Sequence, residues 1–525
     1  MHRSAPSIAE YDSSLVDQLM RPAAYSHPVT SVERIETHIS WILLTDEYVY
    51  KIKKPLDLGF LDFGTLDRRR HYCEEEIRLN KPWAPDIYID VVPIVMSGGY
   101  AQIGGDGAPV EYAVRMKPFD QEMLLDRQLL SGNLSLADAT ELGDVIARRH
   151  LAATVTPREQ RNQISRRAIE LILENFEPLQ GYIDSSLLDK LQTWTTAHLR
   201  TMESSVRQRF DDGFFRDCHG DLHLGNLVRL PTGITTFDCI EFNDELRNID
   251  VVADYAFLTM DLVYRERKDL AAQFLNRYLE VTGDYDGVRL LNLYFSYRCL
   301  VRAKIDVLRS QERKISNDRK DDLVNAERYC QIAAHQVSLR KPMLIVMHGL
   351  SASGKTFVSD QILGELPAIR IRSDIERKRL FNIDETGDTH SAIAAGIYAT
   401  QVTDRLYKHL HELADALLQT RHSVILDASF LRAAQRKAAH ELADRRGVAF
   451  VIVETFAPDS TLRRRLRERM TQHLDASEAD TDVLEYQLRN MDPLSEAEAA
   501  LTIRCNSENL NIAALVADLR SIIGK

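Results

Sequence analysis

MLIVMHGLSASGKTFVSDQILGEL, Met343 to Leu366, passes from an apolar run through a turn rich in glycine and serine into a segment of helical periodicity. Its centre, GLSASGKT at residues 349–356, fits the spacing G-x-x-x-x-G-K-[ST]. That spacing has physical meaning between a strand and a helix, which is where it sits. Glycines let such a loop curl until its backbone N–H groups converge on a phosphate, and the helix N-terminus adds a partial positive charge. On this reading Gly349, Ser351, Ala352, Ser353 and Gly354 form the cradle, Lys355 reaches the terminal phosphates and Thr356 holds Mg²⁺. A turn matching by chance would need neither the strand before it nor the helix after it.

Downstream, SVILDAS and AFVIVETF alternate with helical segments, the pattern of a parallel sheet covered by helices, so an α/β domain is expected over residues 341–525. IRSDIERKRLF follows where the next strand should end and sets Asp374 and Arg377 at the mouth of the phosphate site. A carboxylate there can orient or deprotonate an acceptor hydroxyl, and an arginine can bind substrate or phosphate. A capping aspartate beside a solvated arginine is the plainer alternative. Asp427, closing the run SVILD, is placed to hold the Mg²⁺ shell. TLRRRLRERM puts Arg465 and Arg469 on one helical face, suited to closing on a transferred phosphoryl group or to facing water. Together GLSASGKT, SDIERKRLF, LDASF, LRRRLRERM and DTDVLEYQL resemble the small P-loop kinases that phosphorylate metabolites or polynucleotide ends, the gluconate, adenylylsulfate and polynucleotide kinase group. The resemblance implies that the SD-x-x-R segment contacts the acceptor and an arginine-bearing lid closes over ATP, roles that fall to Asp374, Arg377, Arg465 and Arg469. Toxin kinases of the zeta type share the fold, so the acceptor does not follow from it.

Before Pro342 the pattern changes. A charged helix is expected from about Glu312 to Arg340, ending at a proline it cannot continue through. Further upstream, SVERIETHISWILLTDEYVYKIKK from Ser31 holds two β-rich runs split by Thr45-Asp46-Glu47, an antiparallel hairpin. The helical LDRRRHYCEEEIRLN and the strand-like IYIDVVPIVM and VEYAVRMKPF follow it. After Asp120 amphipathic helices dominate, interrupted by CHGDLHLGNL, Cys218 to Leu227, and the strand-like ITTFDCIEF. A small β-rich lobe over 1–118 and a mainly helical lobe over 119–335 are therefore expected.

CHGDLHLGNL offers two histidines, an aspartate and an asparagine. A zinc site needs three or four ligands, and apart from the adjoining Cys218 no matching Cys or His partner for His219 and His223 lies nearby in sequence. Phosphoryl transfer of the protein-kinase type needs a carboxylate near the acceptor hydroxyl, an amide five residues on that ligates Mg²⁺, and a metal-binding aspartate on the next β-hairpin. Asp221, Asn226 and Asp238 have that spacing. The loop resembles the H-G-D-x-H-x-x-N of aminoglycoside and choline phosphotransferases. The likeness spans residues 31–335 through ETHISW, VYKIKKPLDLGFLDFGTL, EEEIRLN, RNIDVVADYAFLTMDL and YFSYRCLVRAK. It implies a bilobal protein-kinase-like α+β fold with Asp221 as catalytic base, Asn226 and Asp238 on Mg²⁺, and His219 bracing the loop.

In VYKIKK, Lys51 and Lys53 share one strand face, and either can meet the ATP phosphates. Val49, two places earlier, favours Lys51, with Glu76 as its partner on the helix; lysines guarding an exposed strand edge are the alternative. RMKPF is the expected hinge, where backbone groups of Lys117 or Phe119 would meet adenine. No G-x-G-x-x-G precedes Lys51, and ETHISW occupies its place. Asp250 and Asp254 either brace the loop, contact substrate or form a surface pair.

Composition narrows the rest. With 44% apolar and 27% charged residues the chain has the balance of a globular protein, and no apolar run approaches the about 20 residues of a membrane span. MHRSAPSIAEYDSS lacks the apolar core of a signal peptide, so a cytoplasmic protein without a membrane partner is expected. Six cysteines without a CxxC pair point to reduced thiols rather than to disulfides or zinc. A formal charge of -12 disfavours binding along a nucleic-acid duplex. Small hydroxylated molecules are the main acceptor class, a nucleic-acid end is a second one for the C-terminal half, and no obligate protein partner follows. The expectation is a bifunctional, ATP- and Mg²⁺-dependent phosphotransferase joining an N-terminal α+β bilobal kinase-like fold to a C-terminal α/β P-loop domain. The alternatives are that one half is an inactive ATP-binding pseudokinase gating the other, or that the C-terminal half is a polynucleotide-end or toxin-type kinase.

Overall fold

The computed structural model describes the backbone of residues 8–57, 59, 61–312, 316–338, 341–381, 383, 400–472 and 481–523, with side chains for all of these except 8–13, 312, 316, 400, 469–472 and 523. The chain falls into two compact units, one of Met1–Leu134, Ala153–Leu171 and Glu203–Leu258, the other of Ser135–Ala152, Ile172–Met202 and Thr259–Lys525.

The first unit is built on an antiparallel sheet of β1 (Glu33–Glu36), β2 (Ser40–Leu44), β3 (Val49–Lys53), β4 (Tyr88–Ser97), β5 (Tyr100–Ile103) and β6 (Pro109–Met116) in the order β1-β2-β3-β6-β4-β5. The expected hairpin is β2–β3. The run before it is itself folded into β1 and β2, because Thr37 turns the chain: its N–H donates to Ser40 O (2.9 Å) and its Oγ1 accepts from Ser40 N–H (3.0 Å). Side chains alternate along β3. Tyr50 and Ile52 therefore join Trp41, Leu43, Ile94 and the helix Ile8–Leu19 in one apolar core. Lys51 and Lys53 face the other way, toward the helix Leu66–Asn80. That helix begins where Thr65 Oγ1 accepts from Arg68 N–H (3.3 Å), with Asp67 in its first turn and Arg78 in its last, both favourable to its dipole. Two short ladders complete the unit: β7 (Phe215–Asp217), β8 (Leu227–Leu230), β9 (Gly233–Thr236) and β10 (Asn248–Asp250) pair as β7–β10 and β8–β9. ITTFDCIEF is strand only to Thr236, since Asp238 takes a left-handed φ of 59° and turns the chain out of the ladder.

The second unit centres on an all-parallel sheet of β11 (Met343–His348), β12 (Ala368–Arg372), β13 (Ser423–Asp427), β14 (Ala449–Phe456) and β15 (Thr502–Asn506), ordered β12-β13-β11-β14-β15. Every residue of β11 is buried, as a strand covered on both faces requires. β12 (AIRIR) and β15 (TIRCN) carry arginine and do not read as apolar runs. The charged segment before Pro342 forms the helix Ser316–Val337, packed along Val288–Glu312. The helix Lys268–Thr282 packs on β12. All six cysteines are free thiols in buried positions. Among the described residues no helix is long and apolar enough to cross a membrane.

Candidate active sites

In the first unit β3 aims both lysines at Glu76. Lys51 Nζ donates to Glu76 Oε1 (2.8 Å) and to the carboxylate of Asp238. Lys53 Nζ donates to Glu76 Oε2 (2.7 Å) and to the carboxylate of Glu241. The exposures separate the two lysines: the Lys53 and Glu76 side chains are 0% exposed, whereas Asp238 is 43% exposed and Lys51 10%. The network is thus closed at Lys53 and open at Lys51 and Asp238. Burial pushes the Glu76 carboxyl up, but the two ammonium groups beside it override this and hold it at about 2. For Glu241 burial wins over the nearby Lys53, and its carboxyl lies above the usual range.

The loop between β7 and β8 brings the remaining groups beside this network. Asp254 is buried and accepts the N–H groups of His219 (3.0 Å) and Gly220 (2.9 Å), while His219 Nε2 meets Phe237 O (2.9 Å). Gly220 has φ 83°, and a Cβ there would lie 2.8 Å from Leu246 O, so the turn requires glycine. Asn226 Nδ2 donates to Asp221 O (2.9 Å) and Oδ2 (3.0 Å), which leaves the amide oxygen as its end for a metal. With the Asp238 carboxylate it makes a set of hard oxygen donors that fits Mg²⁺. His223 Nδ1 accepts from Gly225 N–H (3.1 Å), so a neutral ring carries its proton on Nε2, 3.4 Å from Asp221 Oδ2. Asp250 is buried too and pairs with Arg209 (2.7 Å). Phe119, from the expected hinge, packs edge-on against Phe237.

In the second unit GLSASGKT joins β11 to the helix Lys355–Glu365. Neither of its two glycines has a substitute. A Cβ at Gly349 would lie 2.5 Å from Thr455 O, and one at Gly354, where φ is 96°, would lie 2.6 Å from Ser507 Cβ. Lys355 Nζ folds back on the loop, donating to Gly349 O (3.0 Å) and Leu350 O (2.8 Å). Ser353 Oγ meets Thr455 Oγ1 (2.7 Å), Ser351 N–H donates to Gln487 Oε1 (2.8 Å), and Ala352 is buried at φ 61°. Arg465 reaches the loop, its guanidinium donating to Ala352 O (3.1 Å) and Ser507 Oγ (2.9 Å). Arg469 lies in the helix Asp459–Gln472, and its side chain lies outside the described residues.

The register Arg372↔Asp427 sets the C-terminal ends of β12 and β13 side by side, next to the strand that feeds the loop. This is the crevice where open α/β sheets bind ligands. Asp427 is buried, and its Oδ2 accepts from Ser359 Oγ (3.2 Å). A carboxylate at this strand end and the hydroxyl of Thr356 in the first helical turn suit Mg²⁺. Asp374 and Arg377 sit on the short helix Ser373–Arg379 that leaves β12 directly; Arg377 is buried and donates to Thr403 Oγ1 (3.4 Å). Tyr407 lies within electrostatic reach of both: burial raises its hydroxyl pKa, with Arg377 and Asp374 acting in opposite senses. Sequence reasoning did not single out Tyr407, Gln487, Glu241 or the bond from His223 toward Asp221. Only Glu241 carried a signal, an acidic residue three places after Asp238 in TTFDCIEF.

Residues 110–291 match the phosphotransferase enzyme family, and residues 344–494 match an AAA domain. Uncharacterized proteins of Mycobacterium tuberculosis and Mycobacterium bovis are 27% identical over 426 residues, covering 80% of this chain and 83% of theirs. Among solved structures, a choline/ethanolamine kinase family protein from Mesorhizobium loti covers 62% of this chain and 94% of its own at 10% identity, with a TM-score of 0.38. A gluconokinase from Sinorhizobium meliloti 1021 covers 35% of this chain and 94% of its own at 20% identity, with a TM-score of 0.25.

Proposed function

For a chain that joins a phosphotransferase-family region to a P-loop kinase region, we propose that each region transfers the terminal phosphoryl group of ATP to a hydroxyl acceptor. The observation that carries this reading is the meeting of Lys51, Glu76 and Asp238, from three distant stretches of sequence, in one hydrogen-bonded group that ends in a solvent-facing carboxylate. In the first site Lys51, held by Glu76, meets the ATP phosphates. Asp221, oriented by Asn226 and His223, accepts the proton of the acceptor hydroxyl. Asn226 and Asp238 would hold Mg²⁺, as Thr356 and Asp427 would in the second site. The bound ion would supply neutralisation of charge at the phosphate oxygens. In the second site the loop N–H groups and Lys355 cradle the phosphates, Arg465 closes over them, and Asp374 and Arg377 receive the acceptor.

The turn between β1 and β2, Thr37-His38-Ile39, has no glycine to let the backbone cover phosphates closely. That favours a second reading for the first site, nucleotide binding without transfer. Both readings are tested with the full-length chain and its Asp221→Ala and Lys355→Ala variants, given labelled ATP with a metabolite extract and with 5′-hydroxyl oligonucleotides. Each variant is expected to lose a different set of labelled products. Label unchanged in the double variant refutes transfer at both sites. Label lost only with Lys355→Ala supports the second reading for the first site.

A further inference from the structure

β12 is the edge strand of the parallel sheet, and its outward backbone groups need a partner. They find one in the helix Lys268–Thr282, which belongs to the segment matching the phosphotransferase family. Asn276 Oδ1 accepts from Arg370 N–H (2.7 Å) and its Nδ2 donates to Ala368 O (3.1 Å), so one carboxamide does the work of a neighbouring strand. One turn further along that helix, Glu280 accepts the guanidinium of Arg370 (2.8 Å), with Arg372 at 3.8 Å. Arg370 is 3% exposed and continues inward: it donates to Ser359 Oγ (3.1 Å) and to the carboxylate of Asp360. Ser359 in turn shares its one hydroxyl proton between Thr356 O (2.9 Å) and Asp427 Oδ2 (3.2 Å). Glu280, Arg370 and the Ser359 hydroxyl therefore form a polar relay that ends at Asp427 and at the backbone of Thr356, the two residues offered as metal ligands in the P-loop site.

We propose that Glu280 is a positioning residue for the P-loop site: by neutralising Arg370 it keeps the charge of Asp427 available beside Thr356. The proposal rests on reading residues 349–356 as a MgATP site. Three carboxylates, Glu280, Asp360 and Asp427, attract the one buried guanidinium, and attraction at low dielectric is strong. When Glu280 carries the charge, Asp427 is held only through the Ser359 hydroxyl. When it does not, the unbalanced guanidinium draws on Asp360 and Asp427, and the carboxylate at the end of β13 is spent on protein instead of metal. The residue that sets this balance lies outside the AAA-domain match altogether, on the far side of Pro342.

The test titrates Mg²⁺ into the full-length chain with a fluorescent ATP analogue and follows the share of binding that Lys355→Ala removes. Glu280→Gln keeps the shape and removes the charge; Asn276→Ala loosens the same contact without touching charge. Glu280→Gln is expected to raise the Mg²⁺ half-saturation about tenfold, the low end for outer partners of a metal ligand, and Asn276→Ala to leave it unchanged although both lower the melting temperature. Glu280→Asp, which restores the charge, should return it toward the wild-type value and serves if Glu280→Gln does not fold. If both substitutions destabilise alike and the Mg²⁺ dependence does not move, or if Glu280→Asp shifts it as far as Glu280→Gln does, Glu280 is only a structural clip and the proposal is overturned. If Lys355→Ala removes no binding from the wild-type chain, the reading of the loop itself fails and takes the proposal with it.

Discussion

The two lysines of β3 give the sharpest test of the first site, because the structure assigns them opposite surroundings. Replacing Lys53 by Met leaves Glu241, 4% exposed, without its hydrogen-bonded cation and strips one oxygen of Glu76. Breaking a buried pair from one side costs about 3–5 kcal/mol. Replacing Lys51 by Met strips the other oxygen of Glu76, but the second carboxylate it strands is Asp238, whose side chain is 43% exposed and can hydrate. That loss is about 1–3 kcal/mol. The order reverses for activity. Lys51 stands at the open end of the network beside Asp238, so Lys51→Met should lower Asp221-dependent phosphoryl transfer at least about 100-fold, as the loss of a charge-stabilising donor does. Lys53 acts only through Glu76, and its variant should lose about tenfold per folded molecule. Urea unfolding followed by circular dichroism gives the stabilities, and ATP consumption minus that of Asp221→Ala gives the activity. If Lys53→Met abolishes the Asp221-dependent signal while Lys51→Met spares it, choosing between them by solvent access is wrong.

Other outcomes follow from the same geometry. Glu76 titrates in the folded chain at about 2, below its ordinary 4.5, so it contributes stability that is fully present above pH 4.5 and is lost as pH falls toward 2; the shift corresponds to about 3 kcal/mol. The stability gap between wild type and Glu76→Gln should therefore narrow between neutral pH and about pH 3, and a constant gap would show that the carboxylate is not held by the lysines. His223→Ala removes the acceptor of the Gly225 amide and the ring beside Asp221, and should lower kcat at that site about tenfold with the KM for ATP unchanged. A matching rise in KM would instead make His223 a nucleotide contact. Gly354→Ala forces a side chain against Ser507 at a left-handed φ and should remove Lys355-dependent binding of an ATP analogue while Asp221-dependent turnover persists. Retained binding would mean that the loop tolerates a shape its cradle does not allow.

The parts of this molecule that were legible in sequence are those whose chemistry is local. The helix Leu66–Asn80 coincides with LDRRRHYCEEEIRLN because its cap, its dipole-compatible charges and its periodicity lie inside one window. The loop at 349–356 is similarly self-contained: its glycines, lysine and threonine lie in one stretch, and β11 and the helix Lys355–Glu365 flank it as expected. Lys51 and Lys53 could be placed on one face of β3 but not told apart, because what distinguishes them is Glu241, 188 residues away from Lys53, and the solvent on one side of Asp238. Asp254 illustrates the same limit: sequence left it among loop brace, substrate contact and surface pair, and only the fold shows a carboxylate bound to two consecutive amides of the loop.

β12 shows why the change of composition at Pro342 marks less than it suggests. AIRIR puts two arginines into a strand whose residues 368–371 are all buried, an arrangement that costs several kcal/mol per uncompensated charge. Within 341–367 Asp360 bonds the Arg370 guanidinium and also attracts that of Arg372. Glu280 stands within ion-pair reach of both, on a helix inside the segment that matches the phosphotransferase family. A strand that buries arginine has its partner elsewhere in the fold, and the partner's address is a fact about the assembly of the unit, not about the strand. Cutting the chain at 341 would remove Glu280 and Asn276 together, leaving an unpaired edge and a guanidinium that draws on Asp360 and Asp427 alone. The P-loop region is thus expected to need the preceding helix for its charge balance as much as for its covering, which is why its chemistry is best measured in the whole chain.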